Sequence, residues 1–236
     1  MSCRVEAVVA GTAATRLAGP ATVFAAFERS CYVEASGVIA CLGAAIGRGP
    51  LNIVVERFEG LPPGSSVEVD FSSTSIWKPS RPNSTTVEIP DTWSRPWQVC
   101  REAKAFLGWL AGAGEPDDAL IGLGPGLTPA GDDFVGGAMI ALRAFGQATL
   151  ADRIAAWALP LAHERSNRIS RAHLACAAQG EGHEALHGLL ASLAIGEPAW
   201  RQALARLDAV GHSSGRDAAA GAVLALKGAQ CFANSR

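Results

Sequence analysis

Residues 122–145 read GLGPGLTPAGDDFVGGAMIALRAF and combine a glycine-rich loop with the start of a helix. Glycine allows left-handed backbone conformations and lets a ligand or another chain segment approach closely. Thr128 followed by Pro129 is typical of a helix start, because threonine caps a helix and proline is tolerated in its first turn. The stretch predicts a loop that leads into a helix over 133–145. Three glycines alternate in the loop: Gly122, Gly124 and Gly126.

The sequence around this stretch, from about residue 98 to residue 234, is rich in alanine and leucine. Apolar residues recur three and four positions apart, which is the spacing of one helix face. The breaks between these segments are short and contain glycine or proline, which favours an antiparallel helical bundle. The predicted helices cover 99–111, 133–145, 150–161, 167–178, 183–193, 198–210 and 214–232.

The first 95 residues differ, with many β-branched residues, glycines and prolines. Segment 67–71, VEVDF, alternates apolar and polar side chains as a half-buried strand does. Turn sequences such as LPPG at 61–64 separate the candidate strands. Many short strands at regular spacing favour a barrel or a sandwich. The predicted strands cover 5–9, 22–27, 32–35, 38–42, 53–57, 66–71 and 86–89.

Together the two halves predict an α+β fold. An antiparallel β-barrel or sandwich-like part, residues 1–95, is expected to pack on an α-helical bundle, residues 96–236, with the boundary near 93–97. The six cysteines show no C-x-x-C spacing, so zinc and thioredoxin-type chemistry gain no support. Three disulfides are the alternative to free thiols, but a chain of 236 residues has room for a stable core without them, so we expect free thiols.

Charge and hydropathy exclude several classes of partner. The chain has 20 basic and 22 acidic residues and no long basic run, so it has no electrostatic footprint for nucleic acid. No apolar run approaches the roughly 20 residues needed to cross a bilayer, and the N-terminus lacks the apolar core of a signal peptide. We therefore expect a cytoplasmic protein without a membrane or nucleic-acid partner.

The loop and helix start at 122–133 are the first candidate site. Backbone N–H groups in such a loop can surround a phosphate or carboxylate, and a helix N-terminus adds partial positive charge. Asp132 and Asp133 follow at once, and either carboxylate can polarise a substrate or hold a divalent cation. The cofactor is otherwise unknown, with Mg²⁺ as the one candidate. The alternative is structural: a turn, a threonine cap, and acids that complement the helix dipole.

A second candidate site is GHSSGRD at 211–217, at the start of the last predicted helix. The Arg216 guanidinium suits bidentate contact with phosphate or carboxylate. In the alternative interpretation, His212 is a loop histidine, and Arg216 and Asp217 form a solvated cap. The main structural prediction is that this segment meets 122–133 in space. The other anion-binding candidates in segment 211–217 are Ser213, Ser214 and Gly215.

Two further patterns contain histidine. In SNRISRAH at 166–173, Ser166, Ser170 and His173 are spaced to share one helical face. The absence of a G-x-S-x-G elbow makes a serine hydrolase the weakest hypothesis, and a polar face that lines a site or meets a partner is favoured. The sequence HEALH at 183–187 has zincin spacing, but no third metal ligand follows at a recognisable distance.

The strings GLGPGLTPAGDDFVGG (122–137), SRAHL (170–174) and GHSSGRDAAAG (211–221) resemble a bacterial family catalogued as a domain of unknown function. That family includes the third subunit of oxamate carbamoyltransferase, an enzyme of allantoin breakdown in purine catabolism. The resemblance implies a role near the transferase reaction in which oxalurate and phosphate give oxamate and carbamoyl phosphate. It also implies partner chains, since several different subunits are expected to make the activity.

Three hypotheses follow from these sequence observations. In the first, a carbamoyltransferase subunit holds phosphate with the three loop glycines and the amides after Thr128. Asp132 or Asp133 binds a cation or polarises the substrate, while Arg216 and His173 stabilise developing charge. In the second, a non-catalytic anion-binding or scaffolding subunit uses the same loop. In the third, an independent hydrolase uses the serines and the histidine of 166–173. The expected partners are a small anionic substrate and other protein subunits.

Overall fold

A computed structural model of the chain describes residues 2–82, 97, 100–208, 210 and 213–234. The chain divides into two compact units, Met1–Pro79 and Ser80–Arg236. Strands make up the first unit and helices the second, which confirms the α+β class. The predicted strand at 86–89 and most of the predicted boundary at 93–97 lie outside the described residues.

One curled sheet of eight strands forms the first unit. Its strands are β1 (Ser2–Glu6), β2 (Val9–Gly11), β3 (Ala21–Ala26), β4 (Ser30–Ala35), β5 (Val38–Gly43), β6 (Asn52–Val54), β7 (Ser66–Asp70) and β8 (Ser75–Trp77). They pair in the order β1-β7-β3-β4-β5-β6-β2-β8. Strands β1 and β2 are almost continuous in sequence yet lie far apart in this order, which is consistent with a sheet that curls on itself.

The sheet is mixed, whereas the sequence predicted an antiparallel one. Strand β1 runs parallel to β7, β2 parallel to β8, and β5 parallel to β6, while the other pairs are antiparallel. The chain through β1 and β2 runs beside the chain through β7 and β8, and Ser75 N–H donates to Val8 O between them at 3.0 Å. Alternating side chains predict a strand but not the direction of its neighbour, which long-range pairing decides.

The first unit has its own core, in which Val33, Leu42 and Ile53 have no exposed surface. Cys31 belongs to this core, and the five described cysteines are free thiols. Burial raises the pKa of the Cys31 thiol to about 12 and that of Cys41 to about 11. Both are therefore protonated, unreactive groups that pack as small hydrophobic side chains.

The described part of the second unit contains seven α-helices. They are α1 (Arg101–Leu110), α2 (Ala130–Ala144), α3 (Ala148–Arg165), α4 (Arg168–Ala178), α5 (Glu184–Leu193), α6 (Ala199–Leu207) and α7 (Ser214–Asn234). Helix α3 continues through Pro160, beyond the end predicted at 161, so the loss of one backbone donor does not end it. None of the described helices combines the length and the apolar character that a membrane span requires.

Helices α2 and α7 cross at the centre of this unit with their backbones in contact. Helix α2 is buried on nearly every side, as expected for a helix that is apolar all round. A β-carbon at Gly137 would overlap the carbonyl oxygen of Ala218, and one at Gly221 would overlap the carbonyl oxygen of Phe134. Only glycine permits this approach, and the close crossing brings the N-terminal turns of the two helices together.

We expect Gly221→Ala to destabilise the protein by about 1–3 kcal/mol, because the new methyl group must push α2 and α7 apart. The matched control is Gly228→Ala in the same helix, where a β-carbon meets no atom within 4 Å. That change should be neutral or stabilise by up to about 1 kcal/mol through helix propensity. Urea unfolding of both variants measures the difference, and equal stabilities would show that the crossing does not need glycine.

Candidate functional site

The loop before α2 has the left-handed backbone conformation that its three glycines predict. Gly122, Gly124 and Gly126 have φ of +78°, +100° and +108°. At Gly122 there is also a packing reason, because a β-carbon there would overlap the carbonyl oxygen of Arg165 at the end of α3. Residues 124–127 are exposed, so a small molecule can reach the loop from solvent.

Asp132 anchors this loop from inside the unit. The residue is only 2% exposed, and both carboxylate oxygens accept hydrogen bonds. Oδ1 accepts from Gly122 N–H at 2.8 Å, and Oδ2 accepts from Ser170 Oγ at 2.6 Å and from Ser166 Oγ. A buried carboxylate is stabilised by such donors, so Asp132 joins the loop to the end of α3 and the start of α4.

Asp133, the next residue, faces α7 instead. Thr128 Oγ1 donates to its Oδ2 at 3.0 Å, and Thr128 Oγ1 also lies 2.9 Å from Ser214 Oγ. The contact between Thr128 and Ser214 joins segments 122–133 and 211–217, so their predicted convergence is confirmed. Burial raises the pKa of Asp133 to about 8, in spite of the hydroxyl donors of Ser214 and Thr128, which lower it.

Asp217 belongs to the same group of polar side chains; it lies in the predicted segment 211–217 but was not among the anion-binding or catalytic candidates. Trp97 Nε1 donates to Asp217 Oδ1 at 2.9 Å, and the Trp97 ring stacks on Phe134 of α2 with centroids 4.5 Å apart. Asp217 Oδ2 is buried and has no hydrogen-bond partner among the described residues. In the sequence, an acidic residue in the first turn of a helix resembles an ordinary cap, which gave no reason to select it.

The remaining residues of 211–217 have different surroundings. Arg216 is exposed and forms an ion pair with Asp208 at 2.6 Å. Gly215 is buried, and a β-carbon there would overlap the carbonyl oxygen of Leu207. Ser213 is exposed at the start of α7, whereas residues 211 and 212 lie outside the described part of the chain. In this segment, therefore, Ser214 contacts the loop, Gly215 allows close packing against Leu207, and Arg216 lies on the surface.

The serines and the histidine of 166–173 do not share one helix face as predicted. Ser166 ends α3 and Ser170 belongs to α4, because Asn167 caps a new helix between them. Both serine hydroxyl groups donate to Asp132. Burial, and secondly the nearby His183, lower the pKa of His173 to about 4, so its imidazole is neutral at pH 7.

The two histidines with zincin spacing both accept hydrogen bonds from backbone N–H groups. His183 Nδ1 accepts from Ala185 N–H at 3.2 Å and caps α5, while His187 Nε2 accepts from Gly182 N–H at 3.1 Å. His187 is buried, and burial followed by the effect of His183 lowers its pKa to about 4. Within the described part of the chain, no three histidine, cysteine or acidic side chains are grouped to hold a metal ion.

Residues 120–226 match the family model described as oxamate carbamoyltransferase subunit AllH. The matched segment begins just before the glycine loop and ends within α7, so it contains both segments of the candidate site. This confirms the resemblance that the sequence indicated. No curated protein and no solved structure matches the chain.

The adjacent aspartates should respond differently to the same substitution. We expect Asp132→Ala to destabilise by about 2–4 kcal/mol, because it leaves three donors around a buried position without their acceptor. Asp133→Ala should cost less than about 1 kcal/mol, since Thr128 and Ser214 can still pair with each other. Urea unfolding of the two variants makes the comparison, and a larger loss for Asp133→Ala would contradict these roles.

His187 should make stability depend on pH. Its folded-state pKa, about 4, lies below the unfolded value of 6.5, so the unfolded state takes up a proton first as the pH falls. The stability that this residue contributes is complete above pH 7 and decreases by about 2 kcal/mol between pH 7 and pH 5. The variant His187→Gln keeps a side-chain oxygen that can accept the same N–H, but it does not titrate. Between pH 7 and pH 5, its free energy of unfolding should therefore decrease by about 2 kcal/mol less than that of the unchanged protein. An unchanged pH dependence would refute the assignment.

Proposed function

We propose that this chain is a subunit of an oxamate carbamoyltransferase-type enzyme and binds a phosphate or carboxylate anion at the loop 122–128. The observation that carries the proposal is the contact between Thr128 and Ser214, 2.9 Å apart, within a segment that matches the family model. Through this contact an exposed glycine loop lies beside the N-terminal turns of α2 and α7. Helix N-termini and glycine loops are backbone elements that bind anions.

The anion would lie on the exposed side of this meeting point. Gly124 and Gly126 present backbone without side chains to obstruct a ligand, and Ser213 is exposed there as a hydroxyl donor. Arg216 lies in the first turn of α7, and its exposed ion pair with Asp208 is of a kind that contributes little stability. Its guanidinium can therefore exchange Asp208 for a bound phosphate or carboxylate, which it would hold by two parallel hydrogen bonds.

In carbamoyl transfer to phosphate, such a site would position the reacting groups and stabilise the negative charge that develops on them. Donors that are held in place before the reaction stabilise negative charge as it develops on a phosphate or carbonyl oxygen. In this proposal the loop amides and Arg216 have that role. His173 is neutral at pH 7, so it would act as a hydrogen-bonding group and not as a cation.

A non-catalytic subunit that binds the anion or a partner chain is the second candidate. Leu127, at the end of the exposed loop, has 41% of its surface exposed and is available to another subunit. The family description, which names a subunit, also favours partner chains. Turnover by the assembled complex separates the two candidates: Arg216→Ala would lower carbamoyl transfer in the first and leave it unchanged in the second.

Anion binding should raise the temperature at which the full chain unfolds. We expect phosphate, carbamoyl phosphate or oxalurate at about 100 times its dissociation constant to stabilise by about 2.7 kcal/mol, or roughly 5–10 °C. Arg216→Ala should remove at least half of the shift. Arg201→Ala is the matched control, because Arg201 is also exposed and paired with an acid, Glu197, at a different helix. If no anion shifts the unfolding temperature, the anion site is wrong.

A further inference from the structure

Segment 166–170 (SNRIS), where α3 ends and α4 begins, holds the glycine loop near both of its ends. At the first end, two serine hydroxyl groups of this segment donate to Asp132, which in turn accepts from Gly122 N–H. At the other end, Asn167 Nδ2 donates to Leu127 O at 2.8 Å. The sequence singled out the serines of this motif and passed over its asparagine, so the contact with Leu127 has no counterpart among the predicted site residues.

Both ends of the Asn167 side-chain amide are engaged. Its Oδ1 accepts from Ile169 N–H at 2.9 Å and from Ser170 N–H at 3.1 Å, which caps α4. These two hydrogen bonds fix the orientation of the amide group, because a helix N-cap has a defined geometry relative to the first turn. The carbonyl group of Leu127 is therefore held by a donor whose own position is set by the end of α4.

The loop contains backbone N–H groups that have no acceptor within the described ranges of the chain. They belong to Gly124, Gly126, Leu127 and Thr128. Residues 124–127 are exposed, so these donors can be reached from solvent. Successive backbone N–H groups of this kind can surround an anion, and they bind it best when the peptides are ordered before the ligand arrives. What orders the peptides of this loop is therefore part of how the site would work.

The contact with Asn167 sets the direction of one of these donors. Leu127 C=O and Thr128 N–H belong to one planar peptide group, and in a trans peptide the two point in opposite directions. The bond between these residues is trans. Since the carbonyl group is directed at Asn167, the Thr128 N–H group is directed away from α4. The side chain of Thr128 is fixed separately by Asp133 and Ser214, so the donor is held from two sides.

We propose that Asn167 is a positioning residue of the anion site, which orients the peptide between Leu127 and Thr128 so that its N–H group can bind the anion. The inference rests on the proposed anion-binding function of the loop, and it adds a residue that acts through the backbone and not by touching the ligand. A loop that is ordered in advance loses less conformational entropy on binding, which increases affinity. Asn167 is exposed, so its role can be tested without disturbing the buried contacts of Asp132.

The test is calorimetric titration of the full chain and of Asn167→Ser with inorganic phosphate and with oxalurate. Serine caps a helix about as well as asparagine, so the unfolding temperature without anion should be retained, but its side chain is one bond shorter and does not reach Leu127 O. We expect the dissociation constant to rise at least ~10-fold. The matched control is His183→Ser, the same replacement at the N-cap of α5, which should bind the anion as the unchanged protein does.

Asn167→Asp is a second variant that keeps the cap, since its carboxylate can accept both N–H groups but has no donor for Leu127 O. Weaker binding by both folded variants supports the positioning role. If only Asn167→Asp binds more weakly, its negative charge is the cause and the positioning role is wrong, as it is if both variants bind like the unchanged protein. If the unchanged protein binds neither anion, the proposed anion site is wrong and the role of Asn167 falls with it.

Discussion

The backbone contact between α2 and α7 is the constraint on which the candidate site depends. Gly137 and Gly221 remove the side chains that would hold the two helices apart, so each helix meets a carbonyl oxygen of the other. A close crossing leaves little freedom for the ends that approach each other. The N-terminal turns therefore meet, and the hydroxyl groups of Thr128 and Ser214 come within 2.9 Å although 86 residues separate them in sequence.

Consecutive aspartates on α2 divide their roles because neighbouring residues on a helix point about 100° apart. Asp132 turns inward and accepts donors from the loop and from two serines, which is a structural arrangement. Asp133 turns toward α7 and lies near Asp217, where the described residues offer the carboxyl groups no basic partner. The loop is thus held from one side by Asp132, while Asp133 accepts a hydrogen bond from Thr128 on the side of α7.

The segment similar to oxamate carbamoyltransferase subunit AllH, residues 120–226, runs from the glycine loop into α7 and so includes both sides of the crossing. The β unit, Met1–Pro79, lies outside the match. The functional proposals accordingly rest on the helical unit alone. Within it, His183 and His187 accept hydrogen bonds from backbone N–H groups and contribute to folding.

Local signals in the sequence were enough to predict the α+β class, most helices, the glycine loop with positive φ and the two segments that meet in the fold. These features depend on the spacing of apolar residues and on the conformational freedom of glycine. The parallel strand pairs, the passage of α3 through Pro160 and the separation of Ser166 from the α4 face were not predictable in this way. The hydrogen bond from Trp97 to Asp217 was not predicted either, since an acidic helix cap and a lone tryptophan carry no local signal. All of these arise from contacts between residues that are distant in sequence, and such contacts exist only once the chain has folded.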